Sequence, residues 1–406
     1  MTDTPEHIRR LAQRVHDAGP VLRSQTLEER ASWLVRAAER LKPNGPLGRV
    51  ARRELPDETG LSEEMVAWGL ETTVGDIRPG GLIKLAGDAL RAAGPGATPA
   101  SLVTVVLAGN VFAASVRAVF VPLLLGSPVL IKASSSETRF PRLLERALGI
   151  ANPTLGHAAA VVSFPGGSAQ HEAAMHSLAD VVSVFGGDET VNAVTVQVPE
   201  NVGVIGHGHG ISVAYCGSEA RAPDRVQDIV SGLALDVAAY DQRGCLSPQL
   251  IYIEDQDGRS MHSFASKLSN ALDDVNQTLP RGPLPLAVGA AQAQWRGLAE
   301  VDGSLLEGAS HALSVEPRQP RLSPGFRNAS LVRVDGIDAA IRAMRPFGQH
   351  LKCVGTEASS EERLARALEA ATELDAYVTA IGTMQTPAFD SQADGRPVWE
   401  GYLRRR

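Results

Sequence analysis

The chain has 406 residues, 44% of them hydrophobic and 21% charged, the balance of a globular protein that buries a sizeable core. A formal net charge of −7 argues against a nucleic-acid-binding surface. The 3 cysteines have no metal-type spacing and give no sign of a disulfide framework; with no basic-then-apolar leader in MTDTPEHIRR, the expectation is a reducing, cytoplasmic setting.

The first hundred residues read as helical. Thr26-Leu27-Glu28-Glu29 is a capping box, and Leu27, Ala31, Leu34, Ala38 and Leu41 recur at helical spacing behind it. A second helix is predicted over 62–77. Gly94-Pro95-Gly96 and Pro99 then break the chain before a strand at 102–107. From Val103 to Ile131 the only charge is Arg117, a length that could span a bilayer. Gly109-Asn110, Pro122 and Gly126-Ser127-Pro128 cut that run into strand, turn, helix and strand, so no membrane span is expected.

Strands are predicted at 129–132, 158–164 and 181–185, with helices at 139–148 and 171–178 between them. The second and third strands end in Pro165-Gly166-Gly167 and Gly186-Gly187. Such alternation predicts a largely parallel sheet with helices on both faces and ligands beyond the carboxyl ends of the strands. The pattern changes at GVIGHGHGIS, residues 203–212. Beyond it follow a strand at 249–254, helices at 261–272 and 360–374, and a Pro- and Gly-rich stretch at 280–325 that resists assignment. The predicted division is a cofactor domain with a helical N-terminal region (1–205), a second α/β domain (206–385) and a tail (386–406).

Motifs narrow the chemistry. Neither a GxGxxG dinucleotide fingerprint nor a GxxxxGK[ST] loop occurs, although Gly186-Gly187-Asp188-Glu189 can open a helix whose N–H groups face a pyrophosphate. His207-Gly208-His209 lacks an accompanying HExxH or CxxC, so it reads as a structural pair and no metal is expected. Gly-x-Ser-x-Gly is absent as a nucleophile elbow. Cys216 and Cys353 lie in apolar, strand-like contexts and read as small buried hydrophobes. Cys245, in DQRGCLSP, follows a glycine and precedes Pro248. That spacing alone leaves it open between a packed thiol and one presented to a cleft.

Several segments together resemble the aldehyde dehydrogenase superfamily: VLAGNVFAASVRAVFVPLLLGSPVLIKASSSET, VVSFPGG, VVSVFGGDET, and Gln242-x-x-Cys245. The Cys-x-Ser-Pro form and IGTMQTP…DGRPV most resemble the bacterial acyl-CoA reductase family, which includes the reductase subunit of the luciferase-linked complex. The resemblance implies an aldehyde-dehydrogenase-like α/β fold, with a Rossmann-type cofactor domain and a catalytic α/β domain. It implies NADPH-dependent reduction of a fatty acyl-CoA to an aldehyde. Cys245 would be the acyl-accepting nucleophile and Asn110 the oxyanion donor, with Gln242 in the nucleophile loop. Lys132, Ser134, Ser135, Gly186 and Gly187 would hold the cofactor. Ser135 replaces the ribose-binding Glu of NAD-preferring members and favours NADPH, while the neighbouring Glu137 leaves NADH open. A homo-oligomer and an acyl-transfer or synthetase partner follow from the same resemblance.

One departure decides between chemistries. Hydrolytic members carry a Glu upstream of the cysteine that activates water; the matching stretch here is Gly206-His207-Gly208-His209-Gly210. Without that base an acyl-enzyme is reduced or exchanged with a thiol, not hydrolysed. The alternatives are an acyl-phosphate reductase, a hydrolytic aldehyde dehydrogenase in which His207 or His209 replaces the Glu, and a non-catalytic partner subunit of a reductase complex.

Overall fold

The strand segments VTVV and VLIK are buried along their whole length, as continuous apolar runs between glycines and prolines require. In the computed structural model, which describes residues 2–256, 258, 260–374, 376–393 and 395–405, they form the middle of a five-stranded sheet. Asp394 of the DGRPV stretch, and Met1 and Arg406 at the ends of the predicted segments, lie outside the described residues.

A short strand β1 (Ala97–Pro99) precedes this sheet, whose strands are β2 (Val103–Val106), β3 (Val129–Lys132), β4 (Ala159–Val162), β5 (Val181–Phe185) and β6 (Gly203–His207). Their order is β4-β3-β2-β5-β6 and every pairing is parallel. The chain therefore reverses direction across the sheet between β2 and β5, the place where open parallel sheets leave a crevice at their carboxyl edge. The apolar run that invited a membrane reading resolves into β2, the buried helix Ala114–Leu125 and β3. Gly126 ends the helix at φ 99, a left-handed value suited to glycine. Among the described residues, no helix is long and apolar enough to cross a membrane.

The predicted capping box is present: Glu29 N–H donates to Thr26 Oγ1 at 3.1 Å and Thr26 N–H to Glu29 Oε2 at 2.8 Å. It opens the helix Leu27–Leu41, which buries Ala31, Leu34, Ala38 and Leu41 and leaves Leu27 half-buried. The helix expected over 62–77 is shorter, Glu63–Val74, because Ser62 serves as its N-cap and accepts from Met65 N–H.

The second sheet is built from β7 (Ile211–Cys216), β8 (Pro248–Glu254), β9 (Ser304–Glu307), β10 (Ala312–Val315), β11 (Asn328–Val334), β12 (Leu351–Thr356) and β13 (Tyr377–Ala380). Its order is β13-β12-β7-β8-β11-β10-β9, parallel except for the edge strand β9. The chain passes from one sheet to the other over Gly208–Gly210. The unassigned 280–325 stretch holds the helix Leu286–Asp302 as well as β9 and β10. The tail turns back: β14 (Leu403–Arg405) pairs antiparallel with β1, and Arg404 meets Asp180 at 3.0 Å. Arg117, the lone charge of the apolar run, donates to the Ser391 carbonyl and hydroxyl, and its burial lowers its pKa to about 10.

Candidate active site

The carboxyl ends of β2 to β6 gather the residues expected at a cofactor. Lys132 closes β3 and is 8% exposed, its Nζ lying 4.9 Å over the Phe164 ring beyond β4. Phe164 in turn stacks on His171, with centroids 5.3 Å apart. Ser134 and Ser136 share a hydroxyl–hydroxyl hydrogen bond of 3.0 Å, and a side chain at Gly109 would collide with both hydroxyls. Ser135 is exposed between them. Glu137, which kept NADH open in the sequence reading, turns inward at 2% exposure. Burial, with Glu58 nearby, pushes its carboxyl up to about 8. Gly187 caps the helix Asp188–Gln197 without a side-chain cap, and the space a Cβ would take there is open.

The crossing between the sheets carries the two histidines. His207 ends β6 and stacks flat on Phe185 at 4.2 Å. The His209 N–H donates to Asp188 Oδ1 at 2.8 Å, and the His209 and His350 rings are 6.2 Å apart. No glutamate stands between 206 and 210, and the Asp188 carboxylate is engaged by that N–H. Among the described residues, no group of three or more His, Cys, Asp or Glu side chains is arranged to hold a metal.

Cys245 is exposed, whereas Cys216 and Cys353 are fully buried in β7 and β12, their thiols pushed up by desolvation. Asn110 comes to the Cys245 loop from the other sheet: its Nδ2 donates to the Arg243 carbonyl at 3.1 Å. The Ser212 hydroxyl donates to the Cys245 carbonyl at 2.7 Å, pinning the loop over the start of β7. Gly210 faces it so closely that an added Cβ would stand 2.7 Å from Cys245 Cβ and 2.7 Å from Lys352 Cγ. Gln242 is buried and engaged. Its Nε2 donates to the Pro248 and Asn328 carbonyls at 2.9 and 2.8 Å, and its Oε1 accepts from Asn328 N–H. Its part is to tie the loop to β11.

The loop is bent against the usual preference of its residues. Tyr240, Asp241 and Gln242 have φ of 50, 52 and 59, left-handed values without a glycine among them. Asp241 Oδ1 accepts from Arg327 Nε and Nη2 at 3.1 and 2.9 Å, and its Oδ2 from Gly282 N–H at 3.0 Å. Both partners of this ion pair are at most 1% exposed. The Tyr240 ring packs edge-on against Trp68 and Phe112, so the helical N-terminal region buttresses the same turn.

Comparison with known proteins bears on this arrangement. The family profile described as acyl-CoA reductase (LuxC) matches residues 95–396, most of the chain. The chain belongs to the acyl-CoA reductase family. Two curated relatives are similar over a quarter of it. The long-chain acyl-protein thioester reductase of Aliivibrio fischeri is 31% identical over 104 residues, 26% of this chain and 20% of that protein. Long-chain acyl-protein thioester reductase 2 of Photobacterium leiognathi is 30% identical over 106 residues, 26% of this chain and 21% of that protein. The matched stretch thus spans about a fifth of each relative's length. Among solved structures, aldehyde dehydrogenase 21 of Physcomitrella patens superposes with a TM-score of 0.77 at 13% identity, covering 99% of this chain and 90% of that one. The NADP-dependent glyceraldehyde-3-phosphate dehydrogenase of Bacillus halodurans C-125 does so with 0.69 at 14%, covering 94% and 84%. The fold is that of the aldehyde dehydrogenases, as the sequence predicted.

In this member of the family the residues singled out in the sequence fall into two groups. Cys245 and Gln242 share one loop, which Asn110 reaches from the other sheet, while Lys132, Ser134, Ser135, Gly186 and Gly187 border the carboxyl edge of the five-stranded sheet. Sequence reasoning missed the Asp241–Arg327 pair, 86 residues apart, and the approach of Lys352 to Cys245. Neither has a local signal in the chain.

Proposed function

We propose that the protein reduces an acyl thioester, acyl-CoA foremost, to its aldehyde, with Cys245 as acyl acceptor and NADPH as reductant. The observation that carries this reading is the Cys245 loop: an exposed thiol, a neighbouring amide donor from the other sheet, and no glutamate on the crossing stretch. The Cys245 sulfur attacks the thioester carbonyl, the bond to the departing sulfur breaks, and coenzyme A leaves as its thiol. Asn110 Nδ2, resting on the Arg243 carbonyl, is the donor for the oxygen that becomes negative in this step.

Lys132, Ser134 and Ser135 would hold the adenosine end of the cofactor. The bare helix start at Gly186 and Gly187 would face its pyrophosphate. When bound, the nicotinamide supplies the hydride that reduces the Cys245 thioester to aldehyde. Ser135 offers a donor to a 2′-phosphate, and the inward, protonated Glu137 presents no charge to repel it, which supports NADPH over NADH. The crossing stretch supplies no glutamate to direct water at the thioester, and that favours reduction over hydrolysis.

The relatives' names put a protein-borne acyl thioester beside acyl-CoA as donor, since both present the same carbonyl. An acyl-transfer or synthetase partner would supply it, and a homo-oligomer accords with the resemblance. We assign the cofactor to residues 1–205 and the acyl-bearing cysteine to 206–385, with Asn110 reaching it from the first of these.

The test is NADPH consumption with acyl-CoA of graded chain length and with an acylated carrier protein, for wild type and Cys245→Ala. Equal amounts of aldehyde and free thiol in wild type and none in the variant support the reading. Acid formation from aldehyde and NADP⁺ without any thioester reduction overturns it.

A further inference from the structure

We propose that Arg243 is the positioning residue for Asn110, an inference that rests on the reading of Cys245 as acyl acceptor and Asn110 as oxyanion donor. The Asn110 side chain is exposed, and an exposed amide turns freely about its last bond unless something holds it. Two backbone groups hold this one. Its Oδ1 accepts from Val111 N–H at 3.0 Å, and its Nδ2 donates to the Arg243 carbonyl at 3.1 Å. Together they fix the plane of the amide and the end that carries nitrogen. Of the two N–H groups on Nδ2, one rests on Arg243 and the other takes no acceptor among the described residues. The direction of that second N–H is therefore set by where the Arg243 carbonyl stands.

That carbonyl belongs to no strand or helix, and its own side chain keeps it in place. Arg243 is where the left-handed turn of Tyr240, Asp241 and Gln242 returns to right-handed backbone, with φ −88 and ψ −12. Its guanidinium is tied down on three sides. Nη1 donates to the Thr59 carbonyl at 2.5 Å, Nη2 meets Asp241 Oδ2 at 3.4 Å, and Cζ lies 5.3 Å over the Phe326 ring. Each anchor is itself fixed. Thr59 ends the helix Pro46–Thr59, and its neighbour Glu58 accepts from Thr138 N–H and Arg139 N–H at 2.8 and 2.9 Å. Asp241 is held by Arg327, and Phe326 N–H donates to the Asp241 carbonyl at 3.1 Å. A Cβ on Gly244 would lie 3.4 Å from Val111 Cγ2, so the Asn110–Val111 turn rests against the segment that carries the carbonyl.

The reaction depends on that direction. As the Cys245 sulfur adds to the thioester, the π pair of the carbonyl moves onto oxygen. The pair then returns, the bond to the departing sulfur breaks, and the proton given up by Cys245 reaches coenzyme A through water. A donor lowers the barrier only when it is aligned with the charged oxygen, and a misplacement of about 1 Å costs on the order of a hundredfold in rate.

The test compares two reactions of Cys245 in the full chain. Release of coenzyme A from dodecanoyl-CoA, followed by stopped flow without nicotinamide, uses the oxyanion donor. Alkylation by iodoacetamide at about pH 9.5, above the ordinary thiol pKa, uses the thiolate and no oxyanion. Peptide mass mapping locates it, and the buried Cys216 and Cys353 stay outside the signal. In Arg243→Met, release at saturating acyl-CoA slows about tenfold or more, short of the loss on removing the donor, while alkylation keeps its wild-type rate. Arg243→Lys, which retains a charged donor for the Thr59 carbonyl, recovers part of the rate. Phe326→Leu, which removes only the ring under the guanidinium, slows release by less. In an Asn110→Ala background Arg243→Met adds nothing, because the group it positions is gone. Unchanged release in Arg243→Met, a slowing that persists in full in Asn110→Ala, or equal slowing of alkylation and release overturns the proposal. Wild type that releases no coenzyme A while iodoacetamide labels Cys245 overturns the acyl-acceptor reading, and this proposal with it.

Discussion

Replacing Arg327 by Met tests what holds the Cys245 loop in its strained shape. Three successive left-handed residues, Tyr240, Asp241 and Gln242, cost about 1–2 kcal/mol each in free chain. Opposing that cost is the buried fork of Arg327 on Asp241, whose guanidinium also donates to Asn276 Oδ1 at 3.0 Å and the Leu279 carbonyl at 2.8 Å. Removing one partner of a buried pair costs about 3–5 kcal/mol, an upper bound here because Arg243 Nη2 still meets Asp241 Oδ2 at 3.4 Å. That is the same size as the strain, so Arg327→Met lowers both stability and the order of the loop. Urea unfolding would show the midpoint drop with the slope unchanged. Cys245 alkylation would lose its single fast phase in the folded variant. Arg327→Lys, which keeps the charge but not the fork, falls between the two. In a double-mutant cycle with Asp241→Asn the losses are far from additive. A cost below about 1 kcal/mol for Arg327→Met, or additive losses, would refute the claim that this pair offsets the strain.

Three further outcomes follow. Asn110→Ala slows acyl transfer from acyl-CoA to Cys245 by about a hundred- to a thousandfold, read by stopped-flow release of coenzyme A, while the exposed side chain leaves the unfolding midpoint near wild type. Glu137 keeps its proton to about pH 8 in the folded chain but ionises near 4.5 when unfolded, so the folded state binds the extra proton in between. Stability therefore falls as pH rises through that window, by up to ~1.4 kcal/mol per unit; Glu137→Gln flattens the slope in urea titrations and gains most at pH 8. Gly210→Ala puts a methyl 2.7 Å from both Cys245 Cβ and Lys352 Cγ, which costs about 1–3 kcal/mol and slows Cys245 alkylation, measured beside a thermal melt.

The parts of the fold that were legible are those whose burial leaves a local trace. β3 and β5 begin and end where the sequence predicts, because a strand covered on both faces reads as an unbroken apolar run closed by Gly or Pro. The capping box of Thr26 is likewise a four-residue pattern with one geometry. The helix Leu286–Asp302 escaped, since it is rich in Ala and Gly and exposes Leu286 at 92% and Val301 at 83%, so no apolar stripe marks its face. The three-residue pairing of β1 with β14 joins segments about 300 residues apart and has no pattern of its own. At the candidate site, Cys245 and Asn110 stand out in the sequence through their motifs, but what shapes the loop around them does not. Arg327 lies at a sequence distance of 86 from Asp241, and the bulge at Lys352 exists only once β7 and β12 are paired. Gln242 illustrates the converse: the motif drew the eye to it, and its amide is spent on β8 and β11 backbone.

The central claim is that Cys245 carries the acyl group. It is tested most directly by mixing the protein with one equivalent of long-chain acyl-CoA, without nicotinamide, and weighing the intact chain. The account predicts one acyl adduct, mapped to the Cys245 peptide, released coenzyme A in equal amount, and an adduct that persists until NADPH is added. An unmodified chain, an adduct mapped to another residue, or free fatty acid accumulating before NADPH arrives would contradict it.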